Sequence, residues 1–118
     1  MTKSTHHTDL TYLKNLADGN DELIVEMIGI YKTQIPQFID LMKKAIDETN
    51  WDALAAIAHK AKSSVVFMGI SYLAEVLKDM ELKANAKTGL DTIKMHVNDF
   101  ERICTDSIIE LDDAITKL

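Results

Sequence analysis

From Leu23 onward apolar residues recur at helical spacing, and the run Ile24, Ile28, Tyr31, Ile35, Phe38, Met42, Ala45 steps alternately by four and three positions. That alternation is one face of a single long helix. Pro36 falls inside it, where its ring removes the backbone bond to the Lys32 carbonyl, yet the stripe keeps phase on both sides. A kink is expected there, and not an end. A helix apolar along one face must bury that face against other elements.

The rest of the chain supplies them. Asp9 to Ala17 reads as a short amphipathic helix carrying Leu10, Leu13 and Leu16, closed by the turn sequence Asp18-Gly19-Asn20, and it is expected to lid one end of the molecule. Asn50 is a good N-cap for a helix that buries Leu54, Ile57, Ala58, Ala61, Val65 and Met68 and ends at Gly69. Ser71 can cap the next, with Leu73, Val76, Leu77, Met80 and Ala84 inward, and Asn85 to Gly89 makes a second turn. The last and longest segment places Leu90, Ile93, Val97, Phe100, Cys104, Ile108, Leu111, Ile115 and Leu118 at a drifting helical period, so its final turn is expected to fray.

No segment alternates with period two, and the connections are short, which sets consecutive helices antiparallel. The fold class expected is all-α: an up-and-down antiparallel four-helix bundle with a short additional N-terminal helix. Residues 1–8 read as a disordered or extended lead and 9–118 as a single domain, in keeping with a length of 118 residues. The lead after Met1 suits a free-standing protein, but an excised module of a longer chain would start no differently.

The net charge of −6 is spread along the chain with no dense basic block, which argues against a nucleic-acid partner. A single cysteine, Cys104, excludes an internal disulfide and a multi-thiolate metal site and suits a reducing cytoplasm. No apolar run is long enough to insert into a membrane, and the start of the chain lacks the apolar stretch of a secretory signal. The pair His6 and His7 sits on a polar terminus where specific metal binding is not expected, and His59 and His96 have no i+4 ligand partner on a shared face, so no metal site is assigned. Trp51, Phe67 and the six methionines read as packing residues, although a partly exposed Phe67 can join a docking surface.

One residue of the Asn50 to Met68 helix faces the wrong way for packing. At about 100° per residue, His59 lies roughly 140° from the core direction, so it faces water. Ala55, Ala56, Ser63 and Val66 are expected on the same outward side, mostly small, leaving ground on which another protein can approach the ring. Imidazole is largely neutral near pH 7 and nucleophilic through a ring nitrogen, so it can attack phosphorus without a separate base. Lys62, one turn on, can bring an ammonium to a phosphoryl group on His59, and Ser63 can bring a hydroxyl. Across the hairpin that turns at Gly69 and Ile70, residues whose numbers sum to about 140 are level, which pairs His59 with Glu81. The Glu81 carboxylate then either reaches a ring nitrogen and fixes the tautomer or points to solvent.

Alone, a surface histidine is more often a solvated side chain than a nucleophile. The segment Ala58-His59-Lys60-Ala61-Lys62-Ser63-Ser64-Val65-Val66-Phe67-Met68-Gly69, however, resembles the motif of the histidine phosphotransfer family, which has an active histidine, a lysine three residues on, small residues next and a glycine ten on. Tyr12 to Asn20, the Pro-containing helix and Asn50-Trp51-Asp52 extend the resemblance from about Asp9 to Asn85, and the last helix matches only in pattern. Two positions depart from the family: Ser63 stands where glycine is common, and Ala61 where a larger apolar residue is common.

The resemblance implies that His59 accepts the phosphoryl group, that Lys62 supports its charge and that Gly69 closes the site helix. It further implies a receiver-domain partner, or a hybrid sensor histidine kinase, whose bound Mg2+ and phosphoaspartate serve the transfer, so this chain binds no cofactor itself. The chain would be a cytoplasmic, monomeric phosphocarrier of a two-component relay with no kinase activity of its own, and enzyme is a generous word for it. Two alternatives stand beside this reading. The dimerisation domain of a sensor kinase is disfavoured by Lys60 where that family has an acidic residue, by the lack of a nearby proline and by the lack of a Gly-rich ATP-binding segment. A helical interaction module that binds receiver domains or other signalling partners without transferring phosphate is disfavoured by the intact His59 and Lys62 spacing.

Overall fold

The computed structural model describes residues 7–118. Five helices follow in order: α1 Thr11–Ala17, α2 Asp21–Asp47, α3 Trp51–Phe67, α4 Ser71–Asn85 and α5 Leu90–Thr116, with no strand among the described residues. Helices α2 to α5 close into an antiparallel ring in which each packs on its chain neighbours and α5 returns to α2, while α1 packs on α2. Asn20 and Asn50 cap α2 and α3, accepting from the Leu23 and Ala53 N–H groups at 3.1 Å each. Helix α2 runs through Pro36 unbroken, with the proline on its exposed side.

The inward stripes of α3 and α4 are buried as their spacing predicts. Elsewhere the phase differs. In α2 the step after Ile35 is four, so Ile39 enters the core and Phe38 is only half-buried. In α5, Ile103 and Ser107 turn inward, Ile108 and Ile115 are half-buried, and Leu118 is exposed. Ser107 is tolerated because it and the buried Tyr31 hydroxyl lie 2.8 Å apart, and its hydroxyl also donates to the Cys104 carbonyl. Burial pushes the Cys104 thiol up to about 12, which leaves it an inert core group. In α1 only Leu13 and Ala17 are buried, and Leu16 is exposed. Ser71 is the first residue of α4 and not its cap: Ile70 occupies the cap position without a side-chain bond.

His6 lies outside the described residues. His7 to Asp9 run non-helically across the end of the bundle. The Glu110 carboxylate accepts from the backbone N–H groups of His7 and Thr8 and from the Thr8 hydroxyl, and the Asp9 N–H donates to the Met68 carbonyl at 3.1 Å. This strap explains Gly69 doubly. Its φ is +70°, and any Cβ there would run into the Asp9 backbone. The turn that ends α3 is thereby held to both the N-terminal segment and, through it, α5.

Candidate functional site

His59 projects from the middle of α3 with its side chain 69% exposed. Glu81, level with it on α4, is three-quarters covered and brings Oε2 to 3.1 Å and Oε1 to 3.4 Å from Nδ1. A carboxylate can only accept, so this contact assigns the proton to Nδ1 and leaves the Nε2 lone pair free. The short hairpin that joins α3 to α4 sets the two side chains level, and the close packing of these helices brings them within reach.

The remaining residues singled out in the sequence divide. Ala56, Ser63 and Val66 are exposed, and Lys62 is half-buried without an ion-pair partner among the described residues. Ala55 is a correction: only 7% exposed, it belongs to the core and not to an outward surface. Its direction is at the edge of the apolar arc, and a methyl group is short enough for the neighbouring packing to cover. Lys60, also unpaired, lies on the other flank of the ring. Cations therefore stand near His59 on two sides while Glu81, the only carboxylate paired with it among the described residues, faces Nδ1.

Beside the ring lies a feature that α3 alone does not predict. Between α2 and α3 runs an apolar groove of about 760 Å3, walled by Ile30, Phe38 and Leu41 on one side and by Ala56, Ser63 and Phe67 on the other, with His59 and Lys60 on its rim and no carboxylate in its lining. Phe67 is half-buried, and the ring of Tyr12 from α1 packs on it with centroids 5.7 Å apart. A signal for the groove does exist in α2: Met27, Ile30, Gln34, Gln37 and Leu41 keep the same three-and-four spacing as the core stripe, displaced around the helix.

An imidazole with one nitrogen bonded and the other open, flanked by ammonium groups and bordered by apolar ground, can act as a nucleophile toward an anionic electrophile presented by a protein. The structure is similar to that of histidine-containing phosphotransfer protein B from Pseudomonas aeruginosa PAO1, with a TM-score of 0.85 over 98% of this chain and 99% of that one at 22% identity, a likeness of fold. Among curated proteins none matches the sequence. The family model described as Hpt domain matches residues 26–118, most of the chain and all of α3 and α4, and the chain therefore belongs to the Hpt domain family.

Proposed function

We propose that His59 is the residue through which this chain acts as a histidine phosphotransfer protein, taking a phosphoryl group from the aspartate of one receiver domain and passing it to another. The observation that carries the reading is the His59–Glu81 contact on an otherwise open ring. In the forward step the Nε2 lone pair attacks phosphorus in line, the N–P bond forms, the bond from phosphorus to the aspartyl oxygen breaks, and the electron pair leaves with the carboxylate. No proton has to move. The ring becomes cationic because Nδ1 keeps its proton, and the Glu81 carboxylate faces that charge.

Lys62 offsets charge on the transferred phosphoryl group, and Ser63 is in reach to donate to one of its oxygens. Gly69 acts at a distance by closing α3 where the strap crosses. Ala56 and the groove supply docking ground, and the exposed Val66 adds to it. The Mg2+ that such a transfer uses belongs in the receiver domain, and this chain supplies no cofactor. With the same geometry serving both directions, net flow is set by the partners. The reading places the chain in the cytoplasm as a monomer, a donor or acceptor for receiver domains and hybrid sensor kinases.

The test is phosphate transfer from phosphorylated receiver domains of the source organism to the wild-type chain and to His59→Gln. Label on the wild type alone is expected, and none from ATP without a kinase. Equal labelling of both proteins would remove His59 from the mechanism, and labelling of neither would leave a receiver-binding module without transfer.

A further inference from the structure

The segment from His7 to Ala17 is fastened at one end and open at the other. Glu110 of α5 takes three donors from two consecutive residues: the His7 N–H at 2.8 Å, and the N–H and hydroxyl of the buried Thr8 at 3.0 Å each. The Asp9 N–H goes to the Met68 carbonyl, one of the acceptors that the end of α3 leaves without a helical partner, and the Asp9 carboxylate accepts from the Thr11 N–H at the start of α1. Beyond α1 the backbone passes through two consecutive residues of positive φ, Asp18 at +50° and Gly19 at +81°, and nothing lies within 4 Å of where a Gly19 side chain would stand. Between fastening and turn, α1 has seven residues, too few to stay helical alone, and only Leu13 and Ala17 of them are buried. It packs on α2, and its half-exposed Tyr12 ring covers part of Phe67.

We propose that residues 7–17 form a latched lid over Phe67, with Glu110 as the latch: strap and α1 open together about Asp18 and Gly19 while α2 to α5 stay closed. Opening gives up the bonds to Glu110 and Met68 and the burial of Thr8, Leu13 and Ala17, far less than unfolding the bundle does, so it is a separate local event. Gly69 seats the closed form, because the Asp9 backbone lies in the space that a side chain there would fill. The open form bares more of the Phe67 ring at the end of α3, and a protein that docks beside His59 favours whichever form offers it more contact. The effect on transfer rests on the reading of His59 as phosphoryl acceptor, whereas the motion itself does not.

The test is amide hydrogen exchange, read residue by residue by NMR, in wild type, Glu110→Ala, Thr8→Val and Asp112→Asn, the last breaking the exposed Lys32 pair two residues further along α5. The diagnostic amides are Asp9 and Lys14 to Ala17, whose own acceptors every substitution leaves in place. Their exchange should speed up about a hundredfold in Glu110→Ala and about fivefold in Thr8→Val, and stay at wild type in Asp112→Asn, while amides in the middle of α3 and α5 change by less than about twofold throughout. Unchanged α1 exchange in Glu110→Ala overturns the latch, and so does a rise spread evenly over α2 to α5; should Glu110→Ala fail to fold, Thr8→Val decides by the same criteria. Transfer from a phosphorylated receiver domain over a range of its concentrations tests the lid: Glu110→Ala should lower the half-saturating concentration about threefold, with labelling by phosphoramidate, a small donor that needs no docking face, unchanged. A half-saturation equal to or above wild type overturns the lid. A wild-type chain that neither donor labels at His59 defeats the phosphotransfer reading instead, and exchange still decides the latch.

Discussion

Helix α4 holds two histidines by carboxylates on its opposite sides, and the two pairs differ in everything but that. Toward α3, Glu81 meets His59 at 3.1 Å, and the imidazole stays 69% exposed beside a groove and two lysines that are unpaired among the described residues. Toward α5, Asp79 meets His96 at 2.7 Å, and that imidazole is only 18% exposed, with the carboxylate shared by Lys83 at 2.8 Å. Those contacts, the Lys83 hydrogen bond first and the His96 bond next, hold the Asp79 carboxyl below its usual range. A histidine–carboxylate pair is therefore not a site by itself. With its ring covered the pair is a brace between helices, and with one nitrogen open it can serve as a nucleophile with a fixed tautomer.

The comparison breaks most visibly if the two histidines are exchanged in role. His59→Gln should lower phosphate uptake from a receiver domain by a factor of about a hundred or more, and His96→Gln should leave it within about twofold, read as label per protein over time. The carboxylates should follow the same division. Glu81→Ala is expected to slow transfer about tenfold by releasing the ring, with Glu81→Gln giving partial recovery because its amide oxygen can still accept from Nδ1. Asp79→Ala should leave transfer alone and cost about 1 kcal/mol of stability, measured by urea unfolding.

The smallest effect is in acid. Because the folded state holds the Asp79 pKa below its unfolded value of about 4, the stability it contributes is fully present above that pH and lost as pH falls through the lower folded value. Asp79→Asn should therefore flatten the acid limb of the unfolding midpoint below about pH 4 relative to wild type. An unchanged acid limb would mean that the α4–α5 pair braces nothing.

Much of this division is legible in the amino-acid sequence. Hairpin arithmetic about Gly69 sets His59 level with Glu81, because two helices joined only by Met68, Gly69 and Ile70 have little freedom to slide. Which way the Glu81 carboxylate points is not legible, since that depends on how closely α3 and α4 approach. Spacing on one helix also misjudges residues whose fate is decided by a neighbour. Ala55 sits at the edge of its arc and is covered, Phe38 yields its core place to Ile39, and Ser107 turns inward because Tyr31 offers it a hydroxyl. The groove escapes a helix-by-helix reading for the same reason: it belongs to two helices, and Gln34 and Leu41 on α2 become its wall only once α3 lies alongside. The strap from His7 to Asp9 leaves almost no signal beyond Gly69, whose missing side chain makes room for it.

The central claim is that the open nitrogen of His59 carries the phosphoryl group. Protein labelled with 15N at histidine and phosphorylated by a receiver domain can be followed by NMR through the ring nitrogens. The expected spectrum has one imidazole converted, that of His59, with phosphorus bonded to Nε2 and the proton retained on Nδ1 beside Glu81. Phosphorus on Nδ1, or on any ring other than that of His59, would contradict it.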